Sequence, residues 1–366
     1  MKLERTEKLM NEKIKNADLD SYAILVRYGD DEKILFSDNV DEYTYFDVAS
    51  MGKVLITSTL ILQAIGRGLI ALESTLGDFF DVADPDKKKI TVKQLLTHTS
   101  GIRRYPIKRE AAEKGADAII ADMLSHPLVF QPDTNMKYSC NGYLVLGYIL
   151  EKIYGKTLEE IYEENIVKPL GLKRTAFEIG MDEPNAAVCY HWKRGEHEKR
   201  FDDNNVLVLG KPGGSGGQQS CLYDIKRFIT AVLEKSELLY PKELFELAEK
   251  DYTPDYGDGS GSVGERRGLG YVMVCERYPQ TGALFPIGSF GHCGHTGQSF
   301  FINREKQMYV IILTNATRFT CVKNDFKREK YDDVVKMREE IHNAIYDDLK
   351  CDGCGIFHAS SPSENA

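Results

Sequence analysis

The chain has 366 residues, 42% hydrophobic and 28% charged, with a formal net charge of −9. This balance describes a folded globular protein long enough for one large core or two subdomains, and excludes a disordered chain. The acidic excess and the absence of any Lys/Arg block argue against a nucleic-acid partner. No apolar run reads as long enough to span a bilayer, so no membrane partner is expected. The first residues, Met1-Lys2-Leu3-Glu4-Arg5-Thr6-Glu7-Lys8, are charged and contain no apolar signal core. With 8 Cys scattered along the chain, a cytoplasmic location and free thiols are expected.

In chain order, residues 3–16 predict a mostly polar helix with Leu3, Leu9, Met10 and Ile14 on one side. Residues 22–26 and 33–36 predict strands around the turn Gly29-Asp30-Asp31. The small residues at Asp47-Val48-Ala49-Ser50 lead into an apolar helical run that stops at Gly66-Arg67-Gly68. Helices are predicted over 92–96, 111–124, 143–154, 158–166 and 224–233. Residues 253–267 are poor in apolar side chains and predict a mobile loop. Strand texture returns at 269–274, 299–303 and 308–313, with Arg304-Glu305-Lys306-Gln307 as a hairpin turn. Val334, Met337, Ile341, Ile345 and Leu349 mark a last amphipathic helix, and the tail from 350 to 366 predicts disorder. Strands at both ends and helices between them predict an α/β (α+β) fold. One antiparallel sheet comes from about 1–48 and 224–349, with a mostly helical part, about 49–223, inserted. Residues 1–349 are expected to form a single catalytic domain, with the Ser50 helix where its two parts meet, a common place for a cleft.

Three stretches carry possible chemistry. Ser50 and Lys53 are one helical turn apart and share a face. A serine hydroxyl needs a base to become a nucleophile, and a buried lysine can take part in that proton transfer. A helix N-terminus also offers N–H groups to an oxyanion. Tyr138, in Asn135-Met136-Lys137-Tyr138-Ser139-Cys140-Asn141, is either a proton shuttle facing that serine or a buried tyrosine with a satisfied hydroxyl. Gly291-His292-Cys293-Gly294-His295-Thr296-Gly297-Gln298 reads as a glycine-rich strand whose backbone can approach a ligand. Metal binding by its histidines is disfavoured, because neighbouring strand positions face opposite ways. Gly213 to Gly217 lacks the ending of a phosphate loop. Cys351 and Cys354, near His358, lack the second pair of a zinc site. Trp192, the only Trp, is expected in packing.

In this order the stretches resemble the serine β-lactamase and penicillin-binding-protein superfamily, closest to its class C β-lactamase-related esterases and D-aminopeptidases. The resemblance covers roughly 20–349 and includes Ile90-Thr91-Val92-Lys93-Gln94-Leu95-Leu96-Thr97-His98-Thr99-Ser100-Gly101 and Lys168-Pro169-Leu170-Gly171-Leu172. It implies Ser50 as acylated nucleophile, with Lys53 and Tyr138 as base and proton relay. It implies the N–H groups of Ser50 and Gln298 as the oxyanion hole, and His295-Thr296-Gly297 as the third motif, lining the substrate side with Cys140 and Asn141. It implies no cofactor or metal. It leaves His98 and Ser100 as structural residues. Cys140 stands where many β-lactamases carry Asn, and a histidine replaces the lysine of Lys-Thr-Gly, so esters are expected before β-lactams. The expected function is hydrolysis of small esters or amides through an acyl-serine. The alternatives are a β-lactamase, a D-amino-acid peptidase or carboxypeptidase, or a non-catalytic penicillin-binding sensor. The substrate and the oligomeric state are not legible.

Overall fold

A computed structural model describes residues 1–180, 182–191, 195–197, 203–253, 256, 265–274, 279–323 and 331–351. Its centre is a seven-stranded antiparallel sheet built from both ends of the chain. The strands are β1 Tyr22–Tyr28, β2 Asp31–Phe36, β3 Glu265–Arg267, β4 Val272–Val274, β5 Phe290–Cys293, β6 Ser299–Asn303 and β7 Met308–Thr314. Their spatial order is β2-β1-β7-β6-β5-β4-β3, so the first strand lies beside the last and pairs Tyr22 with Thr314. Helices α1 (Glu4–Lys15) and α5 (Tyr331–Cys351) cover one face and α4 (Leu222–Leu233) packs on the other, while α2 (Thr59–Gly66) and α3 (Cys140–Tyr154) belong to the inserted helical part.

The central strands read as unbroken apolar runs because both of their faces are buried. Successive side chains alternate between two cores. Ala23, Leu25, Ile311 and Leu313 enter the larger core shared with the helical part, while Ile24, Val26, Val310 and Ile312 enter the one beneath α1 and α5. The two terminal helices are joined through Asp348, which accepts from the Thr6 hydroxyl at 2.8 Å, and through Lys13–Glu340 at 2.6 Å. The antiparallel sheet with an inserted helical region is thus the architecture expected.

The local differences have physical causes. The helix expected over 111–124 is two, Arg109–Lys114 and Ala116–Ser125, parted by Gly115 at φ +95°. Ser50 sits in a tight 3-10 turn, Ala49–Met51, followed by a wide π-helical turn, Lys53–Ser58, before α2 begins. The stretch expected as a loop ends in edge strand β3; 254–255 and 257–264 lie outside the described residues, as do Trp192, Cys354 and His358. Residues 49–66 are, against expectation, long and apolar enough to cross a membrane, but they are mostly buried inside this fold. Cys140, Cys189, Cys221, Cys293, Cys321 and Cys351 are free thiols.

The β3–β4 turn presses against the helical part at Gly270. Its φ is +97°, and a Cβ there would run into the Ser58 hydroxyl, with the Tyr143 hydroxyl 3.5 Å away. Gly155, at φ +64°, has nothing within 4 Å of that position. Gly270→Ala should therefore cost about 2–4 kcal/mol, strain plus overpacking. Gly155→Ala should cost only the backbone part, about 1–2 kcal/mol. Urea midpoints at constant m-value check both, and equal losses would show that the contact with Ser58 carries no weight.

Candidate active site

The Ser50 turn is held in an unfavourable conformation. Ala49 has φ +45°, and its N–H donates to Asp47 Oδ1 at 2.9 Å. A non-glycine residue here is strained, and such strain gathers where a side chain must be presented. Lys53 follows one turn later and is fully buried. Its Nζ donates to Ser50 Oγ at 3.0 Å and to the Ser215 carbonyl at 2.7 Å. No carboxylate forms an ion pair with Lys53 among the described residues. A buried cation without a counter-charge is costly and is retained for chemistry more readily than for stability.

Tyr138 stands over this lysine, with Nζ 5.1 Å from its ring centre. Its ring also meets His98 at 4.5 Å, His292 at 6.3 Å and the Arg267 guanidinium at 5.3 Å. Both histidines are buried and neutral. Burial holds His98 well below the usual imidazole range, reinforced by Arg267, Lys53 and His292. Burial does the same to His292, reinforced by Arg267 and Lys53. Their tautomers follow from their partners. His98 Nδ1 accepts the Ser139 N–H at 3.2 Å, so its proton is on Nε2. His292 Nδ1 lies 2.8 Å from the Cys293 carbonyl and must donate, leaving a lone pair on Nε2.

The structure brings Ser50, Lys53 and Tyr138 together and separates the third motif from them. On β5, His292 shares the face of Phe290, which lies in the larger core, whereas Cys293 enters the other core. Residues 294–298 are a turn, closed by Gly294 N–H to the Gln298 carbonyl at 2.7 Å. A Cβ on Gly294 would lie 2.9 Å from the Val48 carbonyl and 3.3 Å from Ala49 Cβ, so this glycine lets the turn touch the nucleophile segment. The His-x-Gly beside Ser50 is therefore His292-Cys293-Gly294, three residues before the one expected.

His295 is half-buried in the turn, and Gly297 has φ +118° and lies against Thr314 and Ala316. Thr296 Oγ1 donates to Gln298 Oε1 at 2.5 Å and lies 3.3 Å from the Asp47 carbonyl. Gln298 Nε2 donates to the Thr314 carbonyl at 2.8 Å. The side chains of Thr296 and Gln298 thus hold the turn together. Cys140, half-buried, opens α3. Asn141 is fully buried and its amide is committed to the backbone of Tyr105, donating at 3.1 Å and accepting at 3.4 Å. That pairing and its full burial turn the amide away from the cleft surface.

Four neighbours went unread in the sequence. His292 carries no role in the motif as read from sequence, and the two-residue period of a strand, which puts it on the face of Phe290, orients it. The family resemblance leaves His98 structural, although its ring lies against Tyr138. Ser215 belongs to the glycine stretch weighed only for nucleotides. Arg267 ends a segment read as loop.

A family model described as Beta-lactamase matches residues 9–330. Esterase EstB of Burkholderia gladioli is 26% identical over 312 residues, 75% of this chain and 78% of that protein. A putative D-alanyl-D-alanine carboxypeptidase of Escherichia coli O157:H7 is 25% identical over 312 residues, 74% and 69% of the two chains. Among solved structures, the octameric penicillin-binding protein homologue from Pyrococcus abyssi superposes with a TM-score of 0.70 at 22% identity, covering 89% of this chain and 76% of that one. That likeness shows the fold. With the match over residues 9–330, it is to the Beta-lactamase family that this chain belongs.

Proposed function

We propose that the protein is a serine hydrolase that cleaves small esters or amides through an acyl-Ser50 intermediate. The observation that carries this reading is Lys53 Nζ at 3.0 Å from Ser50 Oγ with the Tyr138 ring 5.1 Å from the same nitrogen. Ser50 Oγ attacks the substrate carbonyl carbon and its proton passes to the ionised Tyr138 oxygen, with the Lys53 charge on Ser50 Oγ and beside the Tyr138 ring. The tetrahedral oxyanion is held by backbone N–H groups. One is that of Ser50. The Gly294 N–H is committed to Gln298, so we place the second donor at the next residue, His295, rather than at Gln298. Arg338 Nη2 donates to the Gly294 carbonyl at 2.6 Å, and in a trans peptide this points the His295 N–H the opposite way. The oxyanion collapses, the C–O or C–N bond breaks, and the leaving group takes the proton from Tyr138. Water then attacks the acyl-enzyme by the same route in reverse.

Names among the relatives span an esterase and a carboxypeptidase, and the site favours the first. Asn141 is fully buried with its amide paired to the Tyr105 backbone, Cys140 is a weak hydrogen-bond partner, and the histidine in the place of the third-motif lysine, His292, is neutral. A β-lactam needs its amide and its carboxylate recognised, whereas a neutral ester needs neither. A panel of p-nitrophenyl esters, D-amino-acid anilides and a chromogenic cephalosporin tests this. Short esters should show the highest kcat/KM, and a covalent acyl adduct should map to Ser50. A faster cephalosporin, or an adduct on another residue, contradicts the reading.

A further inference from the structure

We propose that Arg267 is a positioning residue that, with Lys53, keeps the Tyr138 hydroxyl in its phenolate form, so that Tyr138 acts as the base at neutral pH. This rests on the hydrolase reading above for its kinetic consequence, but not for its physical content. Tyr138 has two cations at nearly equal distance from its ring, Lys53 Nζ at 5.1 Å and the Arg267 guanidinium at 5.3 Å. Both are almost wholly buried. Opposite charge at this distance, out of water, favours the ionised form of an acid.

The guanidinium is not placed there by need of a partner. Arg267 ends β3, where its N–H donates to Thr253 Oγ1 at 2.8 Å and its carbonyl accepts from the Tyr252 N–H at 2.8 Å. Its Nη2 pairs with Glu265, two residues back on the same strand. Its Nε and Nη1 are buried with no hydrogen-bond partner among the described residues. A guanidinium supplies five donors, and leaving two of its nitrogens unpaired in the interior is expensive. A site that retains such a group uses its charge. Glu265 meets one end of the fork and offsets part of its charge, while the guanidinium itself stands 5.3 Å from the Tyr138 ring centre. Arg267 is the strongest charge acting on both His98 and His292, ahead of Lys53.

Glu265 is the carboxylate paired with Arg267, and no carboxylate is paired with Lys53 among the described residues, so the pair of cations outweighs the single counter-charge at the ring. Lys53 faces it from the Ser50 turn, His98 from the segment after residue 97 and His292 from β5, with Tyr143 of α3 beside Lys53 and His98. Arg338 adds a weaker positive influence through His292. The histidine at the third motif is neutral, so the second cation comes from another strand, β3. The proton balance is simple: phenolate accepts the Ser50 proton and returns it to the leaving group.

Two readouts test the proposal in the full chain. The first is the pH profile of kcat/KM for p-nitrophenyl butyrate, a neutral substrate whose binding no charge change alters directly. Its acid limb reports the base in the free enzyme. Arg267→Met should move that limb up by about one pH unit, and Glu265→Gln, which removes the counter-charge, should move it down. Arg267→Lys should restore most of the shift. The second is the ultraviolet phenolate absorbance, titrated against Tyr138→Phe as the blank, which needs no turnover. One tyrosine should ionise below the usual phenol range in the parent protein, and higher in Arg267→Met. Glu265→Gln keeps the guanidinium, so the prediction stands even if Arg267→Met does not fold. A fall in rate with both titrations unmoved would mean that Arg267 only packs, and overturns the proposal. Absence of ester hydrolysis in the parent protein would instead strike the hydrolase reading, while the optical titration still decides the role of Arg267.

Discussion

Ser50→Ala should lower kcat/KM for the best ester by about 10⁴–10⁶-fold, because the acyl intermediate can no longer form. The loss should fall on kcat. Substrate still meets the same walls, and the change removes one oxygen from a half-buried position. The fold should survive, since Ser50 makes no apolar contact that alanine lacks and Lys53 keeps the Ser215 carbonyl as acceptor at 2.7 Å. Steady-state kinetics and the urea midpoint read the two parts separately. A variant that retains more than about one hundredth of the activity with an unchanged midpoint would point to a nucleophile elsewhere. The strained φ of +45° at Ala49 sharpens the forecast. A turn held against its preference for the sake of one side chain loses its purpose with that side chain, so Ser50→Gly should be equally inactive.

How far the sequence reached depends on the range over which each signal acts. The β1–β2 hairpin, the last two strands and α5 declare themselves by local periodicity, and the pairing of both chain ends into one sheet follows from where the strands lie. Ser50 and Lys53 are legible because one helical turn fixes their distance. Tyr138 is legible by motif and not by geometry. The third motif is misplaced because two His-x-Gly triplets, 292–294 and 295–297, follow one another directly. Only the strand register, Phe300 opposite His292, shows which one ends β5 against the nucleophile turn. Asn141 fails for a related reason: it lies one residue beyond the motif position, inside α3, where it pairs with Tyr105. Arg267 and Ser215 converge on the site from strands and loops far along the chain. Nothing near them in sequence distinguishes a buried functional arginine from a solvated one, since that difference is made by what packs over it.

Lys53 and Tyr138 should behave as one unit. Lys53→Met and Tyr138→Phe should each lower kcat/KM by about 10²–10⁴-fold, and the double variant should be little worse than the poorer single. The reasoning is geometric. Lys53 reaches Ser50 Oγ at 3.0 Å and lies 5.1 Å from the Tyr138 ring, so either change breaks the same proton route. Contacting groups of this kind couple, whereas independent groups multiply. Losses that multiply would separate the two roles and leave Lys53 as an anchor for the Ser215 loop alone. Stability supplies a second, opposite reading. Lys53 is a fully buried cation, with no carboxylate paired to it among the described residues and a carbonyl and a hydroxyl as acceptors. Replacing such a charge with an apolar side chain of similar length removes a desolvation cost, although it also gives up attraction to the Tyr138 and Tyr143 rings. Lys53→Met should therefore match the parent protein in unfolding free energy to within about 1 kcal/mol, or exceed it, while losing its activity. A large destabilisation would instead mean that this lysine holds the Ser50 turn and the Gly214–Ser215 loop together, and that the site tolerates its charge for structure rather than for proton transfer.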